Sequence, residues 1–484
     1  MKKKVKIILF VQLWLLTATL FAQTFTHDPS DSYVWPKEPE VRKQLDKWQD
    51  LKFGMLIHWG LYSQLGIVES WSICAEEENW IPRDSTIVYD TYKRNYWATI
   101  NTFKPERFDP SAWSKTGKQA GMNYVVFTTK HHDGFNMFDT KQSDFSITHG
   151  AFKEDPRRNA AKEVFNAFRS EGYMIGAYFS KPDWHSQYYW WDRYSTPDRN
   201  NNYSIIKNPW RWNKFKEFVY NQIEELVNGD YGTIDILWLD GGWVRPGQTG
   251  DAERLGRNYK GSQDIDMPKI ASMVRKYQPS ILIVDRTVAG EFENYRTPER
   301  GIPDTQQVTP WESCIPLGND WGFVPTDRYK SPAKVIHTLI EIVAKGGNLL
   351  LGIGPKPDGT LPDNVTERLI QIGNWLQKNG EAIYNTRTTP VYNDADTWFT
   401  QSKDGKKIYA LVCLEEGNPL PRKLVWKGNE PSPGSKMICL QTGKTVSWKK
   451  TNAGIEVSLP AFSNREDLPA ITFSFPVVAS TRND

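Results

Sequence analysis

The chain predicts an α/β fold: a (β/α)8-like TIM barrel followed by a C-terminal all-β sandwich. Three observations carry this. Near-continuous apolar runs end in polar side chains, segments with helix-like apolar spacing lie between them, and short β-rich runs take over after about Asn385. Parallel strands covered on both faces read as unbroken apolar runs, and barrel chemistry collects at their C-terminal ends. An open doubly wound sheet fits less well, because no glycine-rich phosphate loop follows an early strand.

Residues Met1 to about Ala22 combine Lys2-Lys3-Lys4, an apolar stretch from Ile8 to Leu20 and the small Ala22 before Gln23. That pattern is expected of a secretory signal peptide over 1–22, which places the mature protein in the periplasm or outside the cell, with no membrane span after cleavage. The barrel is then expected over 23–385 and the sandwich over 386–484.

Six strand-like runs follow in order. Phe53-Gly54-Met55-Leu56-Ile57 leads to His58-Trp59-Gly60, and Tyr124 to Lys130 leads to His131-His132-Asp133-Gly134. Met174 to Ser180 leads to Asp183-Trp184-His185, and Ile234 to Leu239 delivers Asp240 before Gly241-Gly242. Ile281 to Val284 leads to Asp285-Arg286, and Asn348 to Ile353 to Gly354-Pro355-Lys356. Crossover helices are expected around Ala161–Phe168, Trp212–Val227, Pro268–Tyr277, Ala333–Ala344 and Glu367–Lys378. In the last part, strands are expected over Thr397–Thr400, Lys407–Leu414, Lys423–Trp426, Lys436–Leu440, Ile455–Leu459 and Ala470–Phe475, an even spacing that suits a sandwich packed on the barrel.

Composition narrows the function. The net charge is only +3 and no basic patch with interleaved aromatics appears, so nucleic acid is not an expected partner. Four cysteines, Cys74, Cys314, Cys413 and Cys439, are too few for a disulfide framework; a Cys413–Cys439 pair and buried free thiols both remain open. The 21 tryptophans and 21 tyrosines are the stronger signal, with Trp59, Trp71, Trp80, Trp184, Trp238, Trp243, Trp311 and Trp321 near strand ends. An indole offers a flat apolar face to sugar C–H groups and one N–H donor at its edge, although core packing accounts for many of these rings.

Only seven histidines are present, and His58, His131, His132 and His185 all follow strand-like runs. Neutral imidazole both donates and accepts, which suits several hydroxyls on one sugar ring. The spacing does not suit a metal hydrolase: there is no His-x-His after the first strand and no HExxH helix. A glycosidase needs two carboxyl groups across the scissile bond, about 5 to 5.5 Å apart if configuration is retained. Asp240 is the first; the residues themselves leave Glu69, Glu291, Glu293, Glu299 and Glu312 open as the second.

The segments Phe53–Gly60, Lys130–Phe135, Leu237–Trp243 and Gly346–Pro355 followed by Asp358-Gly359 resemble the signature segments of glycoside hydrolase family 29, the α-L-fucosidases, in the expected order along the whole barrel. The resemblance implies an exo-acting, cofactor-independent retaining hydrolase of terminal α-L-fucosyl linkages. It gives Asp240 the role of nucleophile, and Glu299, in Thr297-Pro298-Glu299, the role of acid/base, with Glu291, Glu293 and Glu312 in reserve. It further implies sugar contacts from His58, His131, His132, Tyr178, Trp238 and Arg286, with Trp321 near the sugar methyl. Glu69 and Trp71 match a family Glu-Trp contact, except that Ser70 separates them here. Arg158-Asn159 also departs from the family's Arg-Asp.

The expected partner is a fucosylated oligosaccharide or glycoconjugate. The alternatives are an α-L-galactosidase on the same scaffold, a metal-dependent barrel hydrolase, and a sugar-binding protein without turnover.

Overall fold

A computed structural model describes residues 32–74, 81, 83–84, 86–196, 198–247, 262–460, 462 and 468–477. The segment read as a signal peptide, and Trp80, lie outside them. The first layer is a parallel sheet of β1 (Phe53–Ile57), β2 (Tyr124–Lys130), β3 (Met174–Ser180), β4 (Ile236–Asp240), β5 (Leu282–Asp285), β6 (Glu312–Pro316) and β7 (Asn348–Ile353). Their order is β5-β4-β3-β2-β1-β7-β6, so the sheet curls with β5 and β6 at its two edges.

The gap between those edges is filled by irregular chain. Asn294 N donates to Ile283 O at 2.9 Å and Asp285 N to Phe292 O at 2.9 Å; a few residues on, Glu312 N donates to Arg296 O at 2.8 Å and Arg300 N to Cys314 O at 2.9 Å. Residues 292–300 thus run against β5, turn, and climb beside β6, taking the place of an eighth strand. Glu299 sits on this closing segment because of that pairing. β6 itself was not expected: Glu312, which reads from the sequence as one of several carboxylates in loop-like segments, lies on a strand.

Each strand shows the period of two that a pleated chain imposes. Met55, Ile57, Val125, Phe127, Ile175, Leu237, Leu239, Leu349 and Leu351 face the surrounding helices, while Leu56, Tyr124, Val126, Tyr178, Trp238, Val284, Cys314 and Leu350 fill the interior. The helices are α1 (Pro39–Leu51), α2 (Leu61–Leu65), α3 (Tyr89–Ala98), α4 (Pro110–Gln119), α5 (Ala160–Ser170), α6 (Pro209–Val227), α7 (Met267–Tyr277), α8 (Pro332–Ala344) and α9 (Asp363–Asn379). α5 to α9 cover the five crossovers read from the sequence. Asn159, the residue that departs from the family pattern, caps α5: its side-chain oxygen accepts from Lys162 N at 3.3 Å, and its amide donates to Tyr231 Oη at 3.1 Å.

α1 closes the end of the barrel opposite the strand C-termini. Val41, Leu45 and Trp48 recur at helical spacing and enter the interior cluster, where the Trp48 ring stacks on Tyr295 with centroids 3.9 Å apart. Burying each such side chain contributes about 1.5–3 kcal/mol, so the plug is a substantial part of the interior's stability.

The C-terminal unit is a sandwich. One sheet orders β14 (Lys444–Val446), β13 (Met437–Cys439), β17 (Ala470–Pro476), β11 (Lys407–Cys413), β10 (Thr397–Ser402) and β8 (Thr386–Arg387), with β9 (Asn393–Asp394) beside β10; the other orders β12 (Lys423–Trp426), β16 (Gly454–Ser458) and β15 (Trp448–Thr451). Phe399, Trp426, Met437, Val457, Phe473 and Phe475 form the core between them. All four cysteines are free. A Cys413–Cys439 bridge is ruled out by register: β17 lies between their strands, and two steps of about 4.8 Å exceed the Cα separation a disulfide spans.

Candidate active site

The eleven residues to which the resemblance gives a catalytic or sugar-binding role line one cavity at the C-terminal end of the barrel strands: His58, Glu69, Trp71, His131, His132, Tyr178, Trp238, Asp240, Arg286, Glu299 and Trp321. Leu56 and Cys314 join them. The inward parity that places Leu56 in the interior also turns His58 inward two residues later, and the same step takes Trp238 to Asp240, Val284 to Arg286 and Glu312 to Cys314.

Asp240 ends β4, where Gly241 adopts φ +86°; a Cβ there would come within 2.3 Å of Pro182 Cδ. Its two oxygens are separately held. Arg286 Nη1 donates to Oδ1 at 2.7 Å, and Tyr178 Oη donates to Oδ2 at 2.6 Å. The same guanidinium donates from Nη2 to Glu299 Oε2 at 3.0 Å and from Nε to Thr297 Oγ1 at 3.2 Å, and it lies 4.2 Å from the Trp238 ring centroid. One buried arginine therefore spans both carboxylates. Burial works most strongly against its charge, but Asp240, Cys314 and Glu299 together outweigh it, and the arginine is held more firmly protonated than usual.

The residue after Arg286 is conformationally unusual. Thr287 has φ 61°, which is costly for a β-branched side chain. Glu293 Oε1 accepts from Thr287 N at 3.2 Å, and Gly242 leaves the room: a Cβ there would fall 2.0 Å from Thr287 Oγ1. Glu293 thus braces the turn that aims Arg286. Beneath Arg286, Asp285 pairs with buried Lys181, whose backbone N–H donates to Asp240 O at 2.9 Å.

The histidines form the opposite wall. His132 Nδ1 meets Ser180 Oγ at 2.7 Å, while that hydroxyl donates to Pro182 O at 2.8 Å; the proton of this contact therefore belongs to His132 Nδ1. His132 Nε2 then faces Asp240 Oδ2 at 3.7 Å. Ser70 Oγ is hydrogen-bonded to His131 Nδ1, leaving its other ring nitrogen to the cavity. Burial pushes His131 down to about 4 and takes His58 well below its ordinary value, so both are neutral near pH 7.

Ser70 separates Glu69 from Trp71 in sequence but not in function. The 3-10 turn Ser70–Ile73 sends Glu69 and Trp71 into the cavity wall and Ser70 to His131. Glu69 Oε1 accepts from Trp321 N at 2.9 Å and Gly322 N at 3.3 Å; burial pushes its carboxyl up to about 8. Trp321 stacks beside His58 with centroids 5.4 Å apart.

Other expected contributors lie elsewhere. His185 stacks on Phe145 at 4.0 Å and does not line the cavity. Trp59 packs between Phe108 and Trp113 in the outer core, and Trp184 lies behind Trp71 and His132. Glu291 is exposed, and neither Glu293 nor Glu312 lines the cavity. Leu56 and Cys314 escaped sequence reasoning; the parity of Leu56 with His58 on β1 was there to be used, whereas Cys314 lies on β6, which left no strand signal.

His131, His132 and Asp240 offer ligand atoms within 4.8 Å of one another, the spacing of a metal site. The surroundings oppose one. Both Asp240 oxygens already accept strong donors, and the Arg286 cation sits at hydrogen-bond distance, where a second cation would be repelled.

Comparisons with known proteins place this chain in a family. The family model described as Alpha-L-fucosidase matches residues 20–381. The chain is 30% identical to the human plasma alpha-L-fucosidase over 385 residues, 76% of each chain. Among solved structures it is similar to alpha-L-fucosidase isoenzyme 1 from Paenibacillus thiaminolyticus, with a TM-score of 0.72 and 26% identity over 91% of this chain and all of that one (100%). It is also similar to the Thermotoga maritima alpha-fucosidase solved in complex with fucose, with a TM-score of 0.68 and 25% identity over 92% and 100% of the two chains. The chain belongs to the α-L-fucosidase family, glycoside hydrolase family 29.

Proposed function

We propose that the protein is an exo-acting retaining α-L-fucosidase in which Asp240 attacks the anomeric carbon of a terminal α-L-fucosyl group and Glu299 serves as acid and then base. The observation that carries this is the single guanidinium of Arg286 spanning the two carboxylates, Asp240 Oδ1 at 2.7 Å and Glu299 Oε2 at 3.0 Å. One fork bridging both groups favours the short separation of a double displacement over the wider gap that must hold a water.

In the first step the Asp240 carboxylate forms a bond to the anomeric carbon as the glycosidic C–O bond breaks, and Glu299 gives its proton to the departing oxygen. In the second, Glu299 takes a proton from water, whose oxygen displaces Asp240. The neutral His58 and His131 and the indoles of Trp71, Trp238 and Trp321 suit a sugar ring with three hydroxyls and one methyl. The fucose bound by the Thermotoga maritima relative supports the same ligand here.

The test is hydrolysis of an aryl α-L-fucoside beside the matching α-L-galactoside, which adds one hydroxyl at the methyl position. The proposal expects the fucoside to turn over faster and Asp240→Ala to stop both. Preference for the galactoside would move the assignment to α-L-galactosidase, binding of fucose without turnover would move it to a sugar-binding protein, and loss of activity with chelator would move it to a metal hydrolase. Export is proposed on the N-terminal segment alone; a secreted chain whose N-terminus is not Gln23 or a close neighbour would count against it.

A further inference from the structure

Among the described residues, Glu312 is a fully buried carboxyl of the barrel interior whose side chain does not line the cavity. It is 0% exposed, two residues before Cys314 on β6 and on the same inward face. Both its oxygens accept from side chains: Oε1 from Trp238 Nε1 at 3.1 Å and Oε2 from Tyr124 Oη at 2.7 Å. Trp238 in turn lies 4.2 Å from the Arg286 guanidinium, which holds Asp240 and Glu299. A buried carboxylate is costly unless its acceptors are filled, so a group kept here needs a return in geometry or charge.

We propose that Glu312 is a positioning residue: its carboxylate fixes the Trp238 indole from below and thereby sets where Arg286 presents Asp240 and Glu299 to the sugar. The inference rests on those two residues being the reacting pair. An indole tethered only by packing can rock about its Cβ–Cγ bond, whereas one whose N–H is held by a carboxylate cannot, and a guanidinium stacked on it inherits that constraint. Burial pushes the Glu312 carboxyl up to about 7, while the hydrogen bonds from Tyr124 and Trp238 and the charge of Arg286 pull the other way. Tyr124 is locked in turn by Gly54, where a Cβ would fall 2.4 Å from its ring, so the acceptor itself stands on a rigid base.

The test is a double-mutant cycle of Glu312→Gln and Trp238→Phe on an aryl α-L-fucoside. Glu312→Gln keeps the shape and one acceptor but turns the other acceptor into a donor, so it can no longer accept from both Trp238 and Tyr124; Trp238→Phe keeps a ring and removes the N–H. Each is expected to lower kcat by about ten- to a hundredfold, the cost of a small misplacement of reacting groups. For Glu312→Gln, at a position that does not line the cavity, KM should stay within about threefold, and the loss should be the same for good and poor leaving groups.

Because both act through one contact, the double variant should be no slower than the worse single one; losses that multiply would overturn the proposal. Should Glu312→Gln fail to fold, Trp238→Phe alone decides, and a kcat within twofold of wild type would sink the idea. Azide separates this from failure of the reacting pair. Azide should restore turnover to Glu299→Ala, forming fucosyl azide, and should not restore it to Glu312→Gln. Rescue of Glu312→Gln would make Glu312 the acid/base and would remove both its positioning role and the assignment of Glu299.

Discussion

At the scale of single residues, Asp240 and Glu69 show how the same interior treats two carboxyls differently. Asp240 receives a hydrogen bond on each oxygen, from Arg286 and Tyr178, which stabilise a negative charge ready to attack. Asp240→Ala is expected to lower kcat/KM on the order of 10⁴-fold or more. Fucose should still bind, as titration calorimetry would show, because the histidine wall and the indoles remain; retained turnover would remove Asp240 from the chemistry. Glu299→Ala is expected to cost about 10²–10⁴-fold with a poor leaving group and much less with dinitrophenyl fucoside, since proton donation matters only when the departing oxygen needs it. Glu69, pushed up to about 8 by burial, holds a proton that the unfolded chain, with a pKa of about 4.3, would release. Its folded pKa lies above its unfolded one, so the stability it contributes is present at low pH and is lost as pH rises through about 8. His58 and His131, held neutral by burial, act in the opposite sense at lower pH. With the histidines opposing it at lower pH, the melting temperature is expected to fall between about pH 6.5 and 8 and to level off above that, and Glu69→Gln should flatten that fall; an unchanged slope in the variant would contradict the assignment.

At the scale of elements, the turn after β4 controls where Asp240 points. Gly241 is in a left-handed conformation against Pro182, and Gly241→Ala is expected to destabilise the protein by about 1–3 kcal/mol, in denaturant titrations, and to lower kcat. A fully active, equally stable variant would show that this turn does not set the nucleophile. Strands β1 to β5 and β7 were legible in the sequence because both faces are covered and the apolar runs are unbroken. β6 was not legible, because the interior accepts Glu312 on it through Tyr124 and Trp238, contacts that only the closed barrel supplies. Residues 292–300 were hidden for a related reason: they close the barrel through backbone bonds and leave no periodic trace, although Glu299 rides on them. α1 did leave a trace in the spacing of Val41, Leu45 and Trp48. Among the site residues, Asp240 and the His131-His132 pair stand out from their strands alone. Glu299 and Glu69 needed the family resemblance, since loop carboxylates look alike until neighbours bury them.

At the scale of the whole molecule, the sandwich is tied to the barrel through α8 and α9. Trp375 Nε1 donates to Ala470 O at 3.0 Å, His337 Nε2 meets Pro469 O at 2.7 Å, and Tyr409, Leu411 and Ala470 join the barrel's outer core. Arg387 and Lys403 both pair with Asp46 and Asp50 of α1. A chain ending at residue 385 would expose those helix faces and leave Trp375 without its acceptor, and it is expected to aggregate or melt well below the full-length protein. A truncated form that is soluble and fully active would show that the two units are independent. The barrel, its closing segment and the sandwich together hold two carboxylates under one arginine, and the central claim is that this arrangement performs a double displacement on α-L-fucosides. Proton NMR of the sugar released from an aryl α-L-fucoside, followed before mutarotation, tests it most directly. The account predicts α-L-fucose first; β-L-fucose appearing first would mean a single inverting displacement and would contradict it.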